Sequence, residues 1–326
     1  MSTRPFVCDP ADVHSGEGGR LAAAEARFAG TEILDPDSAA FDEAHAAIDG
    51  YFGPKNEIER RPVLQRWLRD PLDDGNVRVD YHLLAWHERD TGRLAAVRDA
   101  FVGLDRERGL CAVLLSHSFV LPDFRRSGVA TPVRTSPANL ARADLARHGF
   151  PGAPILLVAE MEPVVPSDLA SIVRLLSYGK SGYGVIPPSI LPYCQPDFRD
   201  LEALGVPAEP IPMPCVVRWL GHEDEHRVLT SLADTLIVVL SSLHLRACEP
   251  THVRELARRE RGALLGRPEH LPLIELPTRP SELGRLEPLL RSRALLHYPE
   301  RYRVDLPDPD QDLAALLAVR DRLESE

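Results

Sequence analysis

The chain is 326 residues long, 44% hydrophobic, and carries a formal net charge of -11. That length exceeds one small domain, and that apolar content is ample for packed cores, which excludes a disordered chain. The acidic balance excludes a general nucleic-acid binder, because neutralising phosphates needs a basic face, and it favours cationic ligands near the surface.

Cys8, Cys111, Cys194, Cys215 and Cys248 stand singly, without the spacing of a zinc site or a disulfide framework. The start, MSTRPFVCDPADVHSGEGG, lacks the apolar core of a signal peptide. The longest apolar run, TLIVVLSSLHL (235–245), is too short to span a bilayer. The expectation is a cytoplasmic protein with no membrane and no nucleic-acid partner.

Residues 1–30 are Gly-, Ala- and polar-rich without a sustained period, which predicts a flexible N-terminal tail. TEILDP reads as a first short strand. Phe41, Ala44, Ala47, Ile48 and Tyr51 then fall at helical spacing, with Asp37 or Ser38 as cap. EIERRPVLQRWL reads as a second helix, with Pro62 marking a break or a fresh start. DYHLLAWHE and LAAVRDAFVGLD form a predicted hairpin about Gly92, and CAVLLSHSFV follows as another strand. A helix is predicted from Gly128, with Gly149 as its C-terminal stop, then the strand APILLVAEME. SDLASIVRLLSYGKSGY is a helix capped by Ser167 or Asp168, and IPMPCVVRWLG a last strand. Beyond residue 220, four stretches with helical spacing predict a helical C-terminal extension over 221–326.

The stretch LPDFRRSGVA (121–130) carries the most chemistry. A strand that runs into glycine and then a helix presents several backbone N–H groups at the helix start, where the dipole favours an anion. Gly128 allows close approach, Ala130 keeps the next step small, and Arg125 and Arg126 add charge. Together these are the parts of a pyrophosphate cradle.

VLPDFRRSGVA resembles the acyl-CoA-binding motif of the GNAT superfamily of N-acetyltransferases, Val-x-Pro then Arg/Gln-x-x-Gly-x-Gly/Ala, through Val120, Pro122, Arg125, Gly128 and Ala130. YGKSGY (178–183) resembles that family's Tyr-Glu-Lys-x-Gly-Phe segment. The resemblance covers about 31–220 in element order. It implies an α/β fold, a mixed central sheet flanked by helices, and transfer of an acyl group from acetyl-CoA to a primary amine. The acceptor would be a small molecule or a peptide, and no metal is implied.

By that resemblance, the main chain at Phe119 and Val120 meets the thioester. Arg125, Arg126, Ser127, Gly128, Val129 and Ala130 hold the diphosphate. Ser171 stands where relatives carry an asparagine that contacts CoA, and Tyr178 matches a tyrosine that protonates the departing sulfur. A phenol is a reasonable donor to a thiolate. Three departures stand out: Ser171, Gly179 in place of an acidic residue, and Pro132 with Pro137 in the helix after the cradle, which predict a kink or a late start.

The proton acceptor is open. Glu160 and Glu162 share a strand face at its C-terminal end, as either an amine-attracting pair or a strand end entering solvent. His117 has a suitable ordinary pKa, or is a hydrogen-bonded packing residue. The other class of function is a non-catalytic acyl-CoA binder whose C-terminal helices engage a protein partner or close a homodimer. HEDEH (222–226) fits an inverted zinc-peptidase pattern but lacks a third ligand, and reads as a solvated surface.

Overall fold

A computed structural model describes residues 2–13, 18–55, 58–162, 164–196, 209–246, 248, 250–287 and 309–325. The chain divides into two compact units, Met1–Leu157 and Val158–Glu326. Each is α/β.

The first unit is built on long antiparallel strands. Strands β1 (Thr3–Phe6), β2 (Phe28–Ile33), β3 (Leu72–Asp73), β4 (Val77–Glu88), β5 (Leu94–Asp105) and β6 (Leu110–Val120) form a sheet ordered β1–β2–β4–β5–β6, with β3 also on β4. Gly92 (φ 67°) and Gly109 (φ 63°) make the two tight turns of the β4–β5–β6 meander. Every residue of β5 is buried, as a central strand with cover on both faces requires.

Helices α1 (Gly18–Arg27), α2 (Ala39–Phe52), α3 (Arg61–Arg69) and α4 (Ala130–Arg147) complete this unit. Ser38 caps α2 by accepting the Phe41 N–H at 3.3 Å, and Phe41, Ala44 and Ile48 form its buried stripe. Helix α3 starts at Arg61 with Pro62 in its first turn, where a missing N–H costs nothing.

The expected N-terminal tail is replaced by structure. Strand β1 pairs with β2 from Thr3↔Ile33 to Phe6↔Gly30, and α1 packs on α4. Asp12 ties the segment down by accepting from Arg142 at 2.8 Å and from Asn139 at 2.5 Å. The Gly and Ala content suggested looseness, but β1 has a ready partner edge in β2, which no local pattern reveals.

The second unit begins within β7 (Ile155–Glu160) and holds α5 (Leu169–Lys180), β8 (Gly184–Val185), β9 (Cys194–Gln195), β10 (Ile211–Pro212) and β11 (Cys215–Trp219). Then follow β12 (Arg227–Leu229), α6 (Thr230–His244), α7 (Pro250–Leu264), β13 (His270–Pro272), β14 (Ile274–Glu275) and α8 (Pro309–Ser325). Among the described residues after 220, α6, α7 and α8 fall on three of the four expected helical stretches, the fourth, SELGRLEPLLRSRALL (281–296), lies largely outside the described residues, and the region is not an appendage. Its strand β14 pairs antiparallel with β8, so the sheet of this unit runs β7–β11–β8–β14. The boundary expected near residue 220 thus falls inside one compact unit. No helix among the described residues is long and apolar enough to cross a membrane.

Candidate functional site

After β6 a short 3-10 turn, Pro122–Phe124, carries the chain to Arg126 in a left-handed conformation (φ 66°) and to Gly128 at φ 92°. Helix α4 opens two residues later. Phe124 and Val129 are buried and anchor the turn, Phe124 by an edge contact to Phe28 with ring centroids 6.0 Å apart. Arg125, Arg126 and Gly128 face outward and are exposed. Apolar anchors point in, charge and glycine point out.

The main-chain donors divide in the same way. The N–H groups of Arg125 and Ser127 donate to Pro122 O and Phe124 O at 3.2 Å, and that of Val129 to Ser127 Oγ at 3.4 Å. Those of Arg126, Gly128 and Ala130 meet no acceptor among the described residues. A left-handed glycine before right-handed Val129 (φ -59°, ψ -22°) makes a concave run of amides of the kind that binds anions.

Helix α4 corrects the expected late start. It runs unbroken from Ala130 through Pro137 to Arg147. Pro132 lies in the first turn, where its lack of N–H is harmless. Pro137 deprives the Val133 carbonyl of its helical donor, and the Ser136 hydroxyl donates to that same oxygen at 3.0 Å. The sequence Ser-Pro thus carries its own repair.

An acid–base cluster lies on β5 and β6. Their register shifts from Arg98↔Ser118 to Ala100↔Leu115, so Asp99 alone faces both Ser116 and His117. This is a β-bulge, and it re-aims the side chain it displaces. Freed from the ladder, the His117 N–H donates to Asp99 Oδ1 at 2.5 Å, and His117 Nδ1 lies 3.0 Å from Asp99 Oδ2. The Tyr81 hydroxyl donates to the same carboxylate at 2.9 Å. Burial, then the Asp99 charge, pushes the Tyr81 phenol well above its ordinary range.

Phe52 lies against the His117 ring at 5.0 Å, and half-buried Phe119 stacks on Tyr51 at 4.8 Å. Val120 is half-buried opposite Ala96. Glu59, just before α3, is half-buried; burial raises its carboxyl pKa, while the nearby His117 opposes the rise. Asp99, Tyr81 and Glu59 were missed in the sequence. The available signal was Arg98-Asp99 in the middle of an otherwise apolar strand, since an unpaired charge is rarely placed there.

The same unit holds a second buried group of charges. His82 bridges Glu32 at 2.8 Å through Nδ1 and Asp144 at 2.7 Å through Nε2. Burial opposes the charged ring, but the hydrogen bonds to Asp144 and Glu32 outweigh it and lift its pKa to about 9. Both carboxylates are held below their ordinary range against burial, chiefly by the His82 hydrogen bond. This triad ties β2, β4 and α4 together.

The remaining sequence candidates lie in the second unit. Ser171 is buried, and its Oγ accepts the Val165 N–H at 3.0 Å, beneath an α5 N-terminus capped by Asp168. Glu160 and Glu162 do not form a pair. Strand β7 ends at Glu160, whose carboxylate accepts from the Tyr193 hydroxyl and from Gln195 Nε2 at 3.4 Å. Glu162 is exposed and pairs with Arg174 at 2.5 Å. For Glu162 the solvent-facing alternative is the one the structure displays.

Tyr178, half-buried near the end of α5, meets Tyr183 edge-on at 5.4 Å. Gly179 beside it has a packing reason to be glycine: a Cβ there would lie 2.2 Å from Pro277 O and 2.9 Å from Leu276 O. Gly184 is crowded by Leu273 and Ile274 in the same way, at 3.0 and 3.1 Å. The departure from the motif at Gly179 therefore sits where the C-terminal region lies on this helix.

His222 and His226 flank a 3-10 turn instead of sharing a helix face; His222 stacks on Trp219 at 3.8 Å and His226 is left-handed. Among the described residues no group of three or more His, Cys, Asp or Glu side chains is arranged so that it could hold a metal ion. No protein-family model, no curated protein and no solved structure matches this chain.

Proposed function

We propose that the chain is an acyl-CoA-dependent N-acyltransferase, with acetyl-CoA as donor and a primary amine as acceptor. The observation that carries the reading is the turn at Gly128. A strand, a left-handed glycine and an exposed helix start place amides of Arg126, Gly128 and Ala130 without a protein acceptor among the described residues, beside two exposed arginines. The GNAT-like motif is written on these residues, and an α/β chain with a central sheet flanked by helices is compatible with the reading. The -11 net charge suits a cationic acceptor.

In this reaction the amine must lose its proton before it attacks, since alkyl amines titrate near 10.4, and the departing sulfur must gain one. Tyr178 is assigned the second task by its motif.

Calorimetric titration with acetyl-CoA tests the cradle, and release of CoA thiol across a panel of amines tests turnover. Saturable binding that Gly128→Glu abolishes is expected, together with a loss on the order of 10²-fold in rate for Tyr178→Phe. An unchanged affinity in Gly128→Glu would sink the reading. The close approach of Leu276–Pro277 to Gly179 favours a second reading, a non-catalytic acyl-CoA binder. Binding without turnover on every amine would select it.

A further inference from the structure

One acidic side chain of the second unit is buried further than its partners compensate. Glu260, on α7, is only 3% exposed. Its Oε1 accepts the Cys194 N–H at 2.9 Å and Arg259 Nη2 at 3.4 Å, while its Oε2 meets no donor among the described residues. Arg259 is a weak counterion, because its side chain is 42% exposed and reaches only the oxygen already served. A carboxylate placed this way destabilises the fold unless something else meets its charge.

Glu260 lines a small cavity between α6, α7 and the segment around β9, with room for one water-sized occupant. Oε2 is the acceptor it has left to present there. The walls are apolar apart from Glu260, Tyr193, Cys194, Ser241 and His244. The two hydroxyl hydrogens are committed elsewhere: Ser241 donates to the Val238 carbonyl at 3.0 Å, and Tyr193 donates to Glu160. Both hydroxyl oxygens are left as acceptors. His244 supplies no positive charge, since burial drives its pKa down to about 3. We infer that this cavity binds one small monovalent cation, of potassium or ammonium size, through Glu260 Oε2, with the Ser241 and Tyr193 oxygens as neutral ligands. The inference is independent of the acyl-transfer reading.

Charge and size both select that class. One carboxylate balances one positive charge, and among the described residues no group of three or more His, Cys, Asp or Glu side chains could hold a metal ion, so a divalent metal finds too few ligands. The bound cation ties α6, α7 and the β9 segment together. A proton is its competitor. Burial raises the Glu260 carboxyl to about 8 against the pull of the Cys194 N–H and Arg259, and the Glu160 charge adds to the rise. The Tyr193 phenol and the Cys215 thiol are pushed well above their ordinary ranges by burial, so both stay neutral near pH 7. Without the cation Glu260 keeps its proton. When the cation enters, the carboxyl O–H bond breaks, the proton leaves to water, and the ion takes its place. Affinity therefore weakens as pH falls below about 8, by about tenfold between pH 7 and pH 6.

Thermal melts of the full chain at constant ionic strength compare potassium, ammonium and choline chlorides. Potassium and ammonium are expected to raise Tm at pH 7 and choline, too large for the cavity, to leave it unchanged. Glu260→Gln keeps the shape, drops the charge and is expected to fold, but to lose the potassium-dependent shift. Calorimetric titration of potassium chloride into protein held in choline chloride, in two buffers of different ionisation heat, reads the ion and the proton together. One site is expected, with about one proton released per ion at pH 7 and an affinity about tenfold weaker at pH 6. Equal melts in potassium and choline, a potassium shift that survives in Glu260→Gln, or binding without proton release each overturn the site. None of these results touches acetyl-CoA binding at Gly128, which is titrated separately.

Discussion

At Gly128 there is room for a side chain, since a Cβ would come no nearer than 4.0 Å to Ala24. The obstacle is conformational: φ is 92°, where an L-residue is strained. Gly128→Ala should therefore lower stability by about 1–2 kcal/mol in denaturant unfolding, a penalty separate from any loss of ligand. Glu260 makes a different residue-scale statement. Burial pushes its carboxyl pKa up to about 8, partly offset by the Cys194 N–H and Arg259. An unfolded glutamate releases its proton near 4.5, so stability falls as pH rises from there to about 8 and then levels. Glu260→Gln should flatten that dependence and gain about 3 kcal/mol at pH 7. Thermal melts between pH 4 and 9 would show a parallel, unchanged slope if the carboxyl is in fact ionised throughout.

Among the elements, the His82 triad is a pH-sensitive joint of β2, β4 and α4. The ring's pKa is about 9 folded against 6.5 unfolded, so its contribution is full below about 6.5 and disappears as pH rises through 9. Glu32 and Asp144, both lowered, contribute above their ordinary range, and that contribution is lost as acid protonates them. His82→Ala leaves two buried carboxylates without their cation and should cost about 3–5 kcal/mol. A cost below about 1 kcal/mol by urea titration would contradict the triad as a structural tie. Helix α5 offers the steric counterpart: Gly179→Glu must displace the Leu276–Pro277 main chain. Hydrogen exchange at 270–277 should accelerate sharply in that variant.

What the sequence showed of these elements follows from how local each signal is. The Gly92 hairpin and the Gly149 stop lie within a few residues of their causes and could be read, while at the α2 cap and at Pro62 the sequence left two alternatives, resolved by Ser38 and by a helix start at Arg61. The left-handed turn at Gly128 before α4 was legible for the same reason. The β1–β2 pairing, the bulge opposite Asp99 and the Ser136 repair of Pro137 could not be read with the same ease. The first two depend on which strand lies alongside, and the third on a hydroxyl rotamer.

On the scale of the whole molecule, the division at Leu157/Val158 replaces the domain-plus-extension plan that the change in texture near residue 220 suggested. Helical spacing after that point was real, but the contribution of β14 to the sheet was hidden in two residues, Ile274 and Glu275. A chain truncated after residue 269 should lose cooperative unfolding of the second unit by circular dichroism instead of shedding a spare part. The sheet in that unit closes on a rim just two residues wide. So short a ledge gives a stray segment too few hydrogen-bonding positions to zip onto, and the two residues of β8 beneath it, Gly184 and Val185, offer no more. Light scattering on concentrated samples should accordingly find no fibrils growing from this rim.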